Sequence, residues 1–215
     1  MNDQSICRTW CDLQKRVLGS LGGWMCETER EELFRIARTM QPGERFMEIG
    51  VYGGTTLSVF ALMAPGDCEI IGMDSWENET PNNDPDTGEP VDLRTFCMRN
   101  LEKNGVADRV RLIDGSSHWH GPTWNVPLDV LIIDGDHTGA GVAQDLRDFV
   151  PWVRLGGRLI LDDYWSSPEV RVAIDNWFSH EPPTRWRRTW GATDFVRNAE
   201  GGLLSKMVIF ERIEP

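Results

Sequence analysis

The sequence predicts an α/β fold: a doubly wound, mostly parallel seven-stranded sheet with a C-terminal antiparallel hairpin and N-terminal helices. Three observations carry that prediction. Apolar runs of strand length alternate with stretches of helical periodicity from about residue 44 to residue 178. Successive runs end in acids: Glu48, Asp74, Asp114, Asp134 and the pair Asp162-Asp163. The first run leads into Gly50-Val51-Tyr52-Gly53-Gly54 and then a helix, which is where an open α/β sheet receives a nucleoside-containing ligand.

Ahead of the first strand, Ile6, Trp10, Leu13, Val17 and Leu21 recur at helical spacing, and Gly22-Gly23 interrupts. Thr28-x-x-Glu31 has the form of a capping box before Leu33, Phe34, Ile36 and Ala37. Pro42-Gly43 turns the chain into the strand that ends at Glu48. A helix is expected over 54–63, a strand over 69–74, a helix over 92–104 and a strand over 109–114. Asp129 to Asp134 is apolar almost throughout, as a parallel strand buried on both faces requires. A helix follows to about residue 153, and Gly156-Gly157 opens a strand over 158–162. Pro168 stands in the first turn of the next helix, where its missing N–H costs little. Strands over 185–190 and 206–213 form the hairpin. With no repeat or linker, the chain reads as one domain, with a helical extension over 1–42 and a core over 43–215. Residues 76–90 are acidic, rich in Asn, Pro and Gly, and aperiodic. They form either a solvated surface loop or a lid beside the ligand that Asp74 meets.

Composition narrows the function. Of 215 residues, 40% are hydrophobic and 26% charged, as in a soluble globular protein. A net charge of -12 argues against sequence-independent nucleic-acid binding, which needs a basic face. No apolar run is long enough to span a bilayer, and the polar start of the chain is unlike a secretory signal. Cys7, Cys11, Cys26, Cys68 and Cys97 are scattered without the other ligands of a zinc site. Reduced, mostly buried thiols and a cytoplasmic location are therefore expected.

The glycine turn and the acids form one constellation. Asp74 lies at the right distance beyond Gly50 to accept both hydroxyls of a ribose. Glu48 can orient the glycine turn or meet a charged part of the ligand. Any one acid can instead cap the helix after it. A nicotinamide cofactor is the first rival. Its pyrophosphate fingerprint needs a second glycine where Tyr52 stands. An acidic rim also suits a sulfonium and an ammonium better than a pyrophosphate.

The acids after residue 130 form a second constellation. Asp134-Gly135-Asp136-His137 and Leu161-Asp162-Asp163-Tyr164 end neighbouring strands, ~4.8 Å apart, so their carboxylates can converge on one ion. Hard oxygen donors favour magnesium, manganese or calcium over zinc. Asp162 and Asp163 point to opposite sides of a regular strand, so both can ligate only if the chain turns there. His137, three residues after Asp134, can take a proton from a substrate hydroxyl.

Glu48-Ile-Gly-Val-Tyr-Gly-Gly54, Ile71-Gly-Met-Asp74-Ser75, Leu112-Ile-Asp114-Gly-Ser116 and Leu131-Ile-Ile-Asp134-Gly-Asp136-His137 resemble the ordered motifs of the class I S-adenosylmethionine-dependent methyltransferases. The resemblance covers about residues 44–164 and implies a Rossmann-like core. It implies that Glu48, Gly50 and Tyr52 line the methionine part, that Asp74 binds the ribose, and that Gly53, Ser75 and Asp134 also contact the cofactor. Asp114, Gly115 and Ser116 would flank the adenine, with His118 or Trp119 as candidates to stack on it. The second constellation resembles the metal-dependent sugar and macrolide O-methyltransferases of the macrocin type. That likeness implies Asp134, Asp162 and Asp163 as ligands of a divalent cation, magnesium first, with His137 as base. It further implies a small-molecule acceptor in natural-product biosynthesis and a homo-oligomer. Catechol O-methyltransferases differ, with a lysine where His137 stands and an asparagine where Asp163 stands. Arg185, Arg187 and Arg188, interleaved with Trp186 and Trp190, form either a pocket for an anionic acceptor or a charged sheet edge. Two other classes stay open: a hydroxylase-like relative that needs an oxidant, and a non-catalytic S-adenosylmethionine-binding protein with no use for His137 and the acids near it.

Overall fold

The computed structural model describes residues 27–77, 83, 88–182, 184–190 and 206–215. The expected helix over residues 6–21, and Cys7, Cys11 and Cys26, lie outside them. Helix α1 (Glu27–Thr39) leads to β1 (Arg45–Ile49), α2 (Thr55–Met63), β2 (Glu69–Asp74), α3 (Leu93–Lys103) and β3 (Val110–Asp114). A short α4 (Ser117–His120), β4 (Leu128–Ile133), α5 (Gly139–Phe149), β5 (Val153–Leu161) and α6 (Pro168–His180) follow, then β6 (Trp186–Trp190) and β7 (Val208–Arg212). The strands form one sheet in the order β3-β2-β1-β4-β5-β7-β6. The first five are parallel; β7 runs antiparallel to both β5 and β6.

Alternation along each strand separates two cores. Met47, Ile49, Ile71, Met73, Leu131 and Ile133 point to one face and pack under α5 and α6, with Val142, Leu146, Phe149 and Ile174. Phe46, Ile70, Val130, Ile132 and Ile160 point to the other, against Leu33 and Ile36 of α1, Leu57 and Phe60 of α2, and Leu101 of α3. Burial on both faces explains the near-continuous apolar character of β1, β2 and β4. Three of the longer helices start on side-chain caps. Asp92 accepts from the Thr95 N–H at 2.8 Å, Thr138 from Gly141 at 3.1 Å, and Ser167 from Val170. Helix α1 is already formed at Glu27, so Thr28 sits in its first turn instead of capping it.

Strand β5 begins at Val153, five residues before the expected start, and Gly156-Gly157 lies inside it. The β4–β5 register shifts between Leu128 and Val130, and Gly156 adopts φ 80° at that irregularity. No helix among the described residues is long and apolar enough to cross a membrane. Chain direction across the sheet reverses between β1 and β4, so a crevice opens beyond their C-terminal ends.

Candidate active site

The glycine turn is held from three sides. Gly50 takes φ 85°, and a Cβ there would stand 2.0 Å from the Asp134 carbonyl oxygen, so only glycine lets β1 and β4 close on each other. The Asp134 N–H donates to the Ile49 carbonyl at 2.8 Å, and the Gly50 N–H to that of Met73 at 2.9 Å. Asp74 acts as a clamp. Its Oδ2 accepts from the N–H groups of Val51 (2.7 Å) and Tyr52 (3.0 Å), and its Oδ1 from that of Trp76 (2.7 Å). Tyr52 and Trp76 both sit at positive φ, 50° and 61°. Such a backbone costs about 1–2 kcal/mol per residue, which the charge-assisted bonds to Asp74 offset. From α3, Asn100 donates to the Gly53 carbonyl at 2.9 Å.

The rim continues along the sheet to Asp114, which pairs in register with Asp74. The Arg94 guanidinium (Nε to Oδ1, 2.7 Å) and the Trp76 indole N–H (2.8 Å) hold its carboxyl below the usual range. The Gly115 N–H donates to the Asp74 carbonyl at 2.9 Å. The Ser116 hydroxyl caps α4 by accepting from the His118 N–H at 3.2 Å, and the Ser75 hydroxyl accepts from the Glu77 N–H at 3.3 Å. His118 is half-buried and Trp119 exposed.

Below the loop, Glu48 is buried and its Oε2 has no hydrogen-bond partner. Burial first, then repulsion from Asp134, pushes its pKa well above the ordinary carboxylate value, against a hydrogen bond from Thr56. An unpartnered buried oxygen beneath a glycine cradle suits a ligand that brings positive charge.

The second constellation closes around His137. Its Nε2 lies 3.0 Å from Asp163 Oδ2 and 3.5 Å from Asp134 Oδ1. One ligand atom from each of Asp134, His137 and Asp163 falls within 4.8 Å of the others, a donor set that fits a hard divalent ion. The hydrogen bond with Asp134 raises the His137 pKa, burial opposes it, and Asp163 adds to the rise. The turn that two adjacent acids required is present: Asp163 adopts φ 53° and accepts from the Ser166 hydroxyl. It brings Asp163 to His137 while Asp162 stays buried. Both acids meet Lys206, whose Nζ lies 3.3 Å from Asp162 Oδ2 and 3.0 Å from Asp163 Oδ1. Asp136 faces away and accepts from the Thr138 N–H at 2.8 Å, at the start of α5.

Sequence reasoning missed Lys206, Arg94, Trp76 and Asn100 as parts of these two constellations. Only Trp76, two residues after Asp74, carried a local signal. The arginine cluster at the start of β6 is otherwise engaged: Arg185, just before the strand, pairs with Glu181 at 2.9 Å and Arg187 with Glu211 at 2.7 Å, while Arg188 lies over Tyr164, 5.0 Å from the ring centre. These contacts favour the charged-edge reading.

A further acid, Asp145 of α5, is fully buried, with His118 Nε2 4.0 Å from its Oδ1. Burial pushes its pKa up to about 6. The folded state thus holds this proton more tightly than the unfolded chain. Folding is unpenalised below the ordinary aspartate range; the penalty grows as pH rises toward 6 and is complete above it. At 1.36 kcal/mol per pKa unit the full penalty is about 3 kcal/mol. Asp145→Asn should therefore gain about 2 kcal/mol at pH 8, allowing for imperfect hydrogen bonding of the amide. The gain should vanish near pH 4, as urea unfolding at the two pH values will show.

A family model described as a methyltransferase domain matches residues 47–164, from β1 to the turn after β5. Solved structures share the fold. The O-methyltransferase TomG from Streptomyces achromogenes, involved in tomaymycin synthesis and determined with S-adenosylmethionine, superposes with a TM-score of 0.63 at 17% identity over 87% of this chain and 80% of its own. An O-methyltransferase from Bacillus cereus, determined with S-adenosylhomocysteine, gives 0.63 at 17% identity over 92% and 86%. An rRNA methylase from Streptococcus thermophilus gives 0.61 at 11% identity over 86% and 96%. The matched segment holds the glycine cradle, the Asp74 clamp and the acids of β4 and β5, and the chain accordingly belongs to the class I S-adenosylmethionine-dependent methyltransferases.

Proposed function

We propose that this methyltransferase transfers its methyl group to a hydroxyl oxygen of a small molecule, a sugar or another natural-product alcohol, beside a divalent cation. The contact between Gly50 and Asp134 carries this reading. It sets the glycine turn against the backbone of Asp134, so a methyl donor held over Gly50 would stand close to Asp134, His137 and Asp163.

Sheet order sets out the roles. Asp114 and Asp74, on β3 and β2, face the nucleoside side. Gly50, Tyr52 and Gly53, with Glu48 beneath them, form the middle. Asp134, His137 and Asp163, beyond β4 and β5, face the acceptor side. S-Adenosylmethionine supplies an activated methyl carbon, so the chain's main task is alignment, which can supply ~7–11 kcal/mol. A hard divalent ion held by the carboxylates of Asp134 and Asp163 would anchor and polarise the acceptor, leaving the His137 imidazole off the ion. His137 is the one imidazole in the cluster and the candidate to take the hydroxyl proton. The net charge of -12 supports a small acceptor over an RNA.

Incubation of the purified protein with labelled S-adenosylmethionine, magnesium and panels of glycosides, phenols, small acids and ribosomal RNA tests the reading. A product heavier by one CH2 in the small-molecule panel, lost with excess chelator, is expected. Label in RNA alone would overturn the acceptor class. Turnover undiminished by chelator would overturn the cation.

A further inference from the structure

Lys206 stands where none of the matched motifs lies. It precedes β7, outside the family segment of residues 47–164, and reaches the acids from the opposite side of β5 to His137's strand. Its backbone is fixed on both sides. Glu29 of α1 accepts from the N–H groups of Lys206 and Met207, and the Lys206 carbonyl accepts from the Trp165 N–H at 3.1 Å. Its side chain is only 20% exposed, and its ammonium bridges Asp162 Oδ2 and Asp163 Oδ1.

The oxygens of the two acids are unequally engaged. Asp163 Oδ1 already meets the Ser166 hydroxyl and Lys206, while Oδ2 faces His137. Asp162 Oδ2 faces Lys206, and its Oδ1 is buried with no hydrogen-bond partner. A divalent ion at Asp134 and Asp163 would therefore share Asp163 with an ammonium held largely out of solvent. Two cations on one carboxylate repel strongly where water is scarce.

We propose that Lys206 is a tethered cation that competes with the divalent ion for Asp163, so that the site binds its metal weakly and exchangeably. This rests on reading Asp134 and Asp163 as the carboxylates of the cation site. It adds that residue 206 sets the site's affinity. A lysine side chain gives up the contact when a divalent ion arrives and restores it when the ion leaves.

The test measures binding of Mn2+ alone, by calorimetry or by the loss of its free-ion magnetic resonance signal, with neither S-adenosylmethionine nor acceptor present. Methyl transfer is not read, so failure of the proposed acceptor chemistry leaves the result interpretable. Lys206→Met should tighten Mn2+ binding at least tenfold over the native chain, and Lys206→Arg, which keeps the charge, should stay within threefold of it. Lys206→Met strips a buried carboxylate of its partner and could fail to fold. The double variant Asp162→Asn/Lys206→Met removes both members of that pair while keeping Asp134, His137 and Asp163, and should also bind at least tenfold more tightly. Unchanged or weaker binding in every foldable charge-removing variant would overturn the proposal. So would absence of Mn2+ binding in all of them.

Discussion

Replacing Asp74 with alanine is expected to raise the dissociation constant for S-adenosylmethionine at least about 100-fold. Asp74 stands at the end of β2, yet its carboxylate organises the turn after β1, accepting from the Val51, Tyr52 and Trp76 amides. Hydrogen bonds to a charged group contribute about 1.5–3 kcal/mol each. Losing the two on the glycine turn removes what holds Tyr52 at φ 50°, and relaxation of that residue moves the cradle itself. A loss of about 2.7 kcal/mol corresponds to the stated factor of 100. Asp74→Asn keeps an acceptor oxygen without the charge and should fall between. Calorimetric titration with S-adenosylmethionine measures both. An affinity within threefold of the native value for the alanine variant would show that the turn holds without its clamp.

Asp134→Asn should produce the largest loss of turnover, on the order of 1,000-fold in kcat at saturating cofactor. Asp134 is the residue where the two constellations meet. Its backbone carbonyl lies against Gly50, and its carboxylate faces His137 and sits 24% exposed at the cleft floor. Burial raises its pKa and Asp163 adds to the rise, while the hydrogen bond with His137 and the charge of Lys206 favour its charged form. The amide keeps the volume and the β1–β4 contact but neither the charge nor the hold on the ring. Stopped-time assays at saturating S-adenosylmethionine should show kcat falling far more than the KM for cofactor rises. A variant whose loss lies wholly in cofactor KM would move Asp134 out of the reacting centre.

The order of strands and helices was legible because each parallel strand is buried on both faces, and its apolar run stops where the chain leaves the sheet. Glu48, Asp74, Asp114 and Asp134 mark those exits. The same pattern could not tell a ligand-binding acid from a structural one. Spacing from Gly50 assigns Asp74 to a ribose; the structure shows it bonded to three backbone amides, a contact that depends on how β1 and β2 lie side by side. The Asp162-Asp163 pair left both outcomes open, since a regular strand separates the two side chains and a turn unites them. The φ of 53° at Asp163 decides it, and Ser166 and Lys206 stabilise that turn from three and 43 residues away. Lys206 gave no local sign because its role arises from β7 inserting between β5 and β6. Asp145 likewise looks like any polar helix residue until its face turns toward the sheet.

That insertion has a consequence for synthesis on the ribosome. Among the described residues β6 pairs with β7 alone, and β5 has β7 as its second neighbour, so until residues 208–212 emerge this edge of β5 stays open and β6 lacks that partner. The nascent protein can assemble its first five strands early, but the lysine that steadies Asp162 and Asp163 emerges only after all of them. Premature stops shortly before residue 206 should thus yield chains that contain every matched motif, expose a raw sheet margin and precipitate.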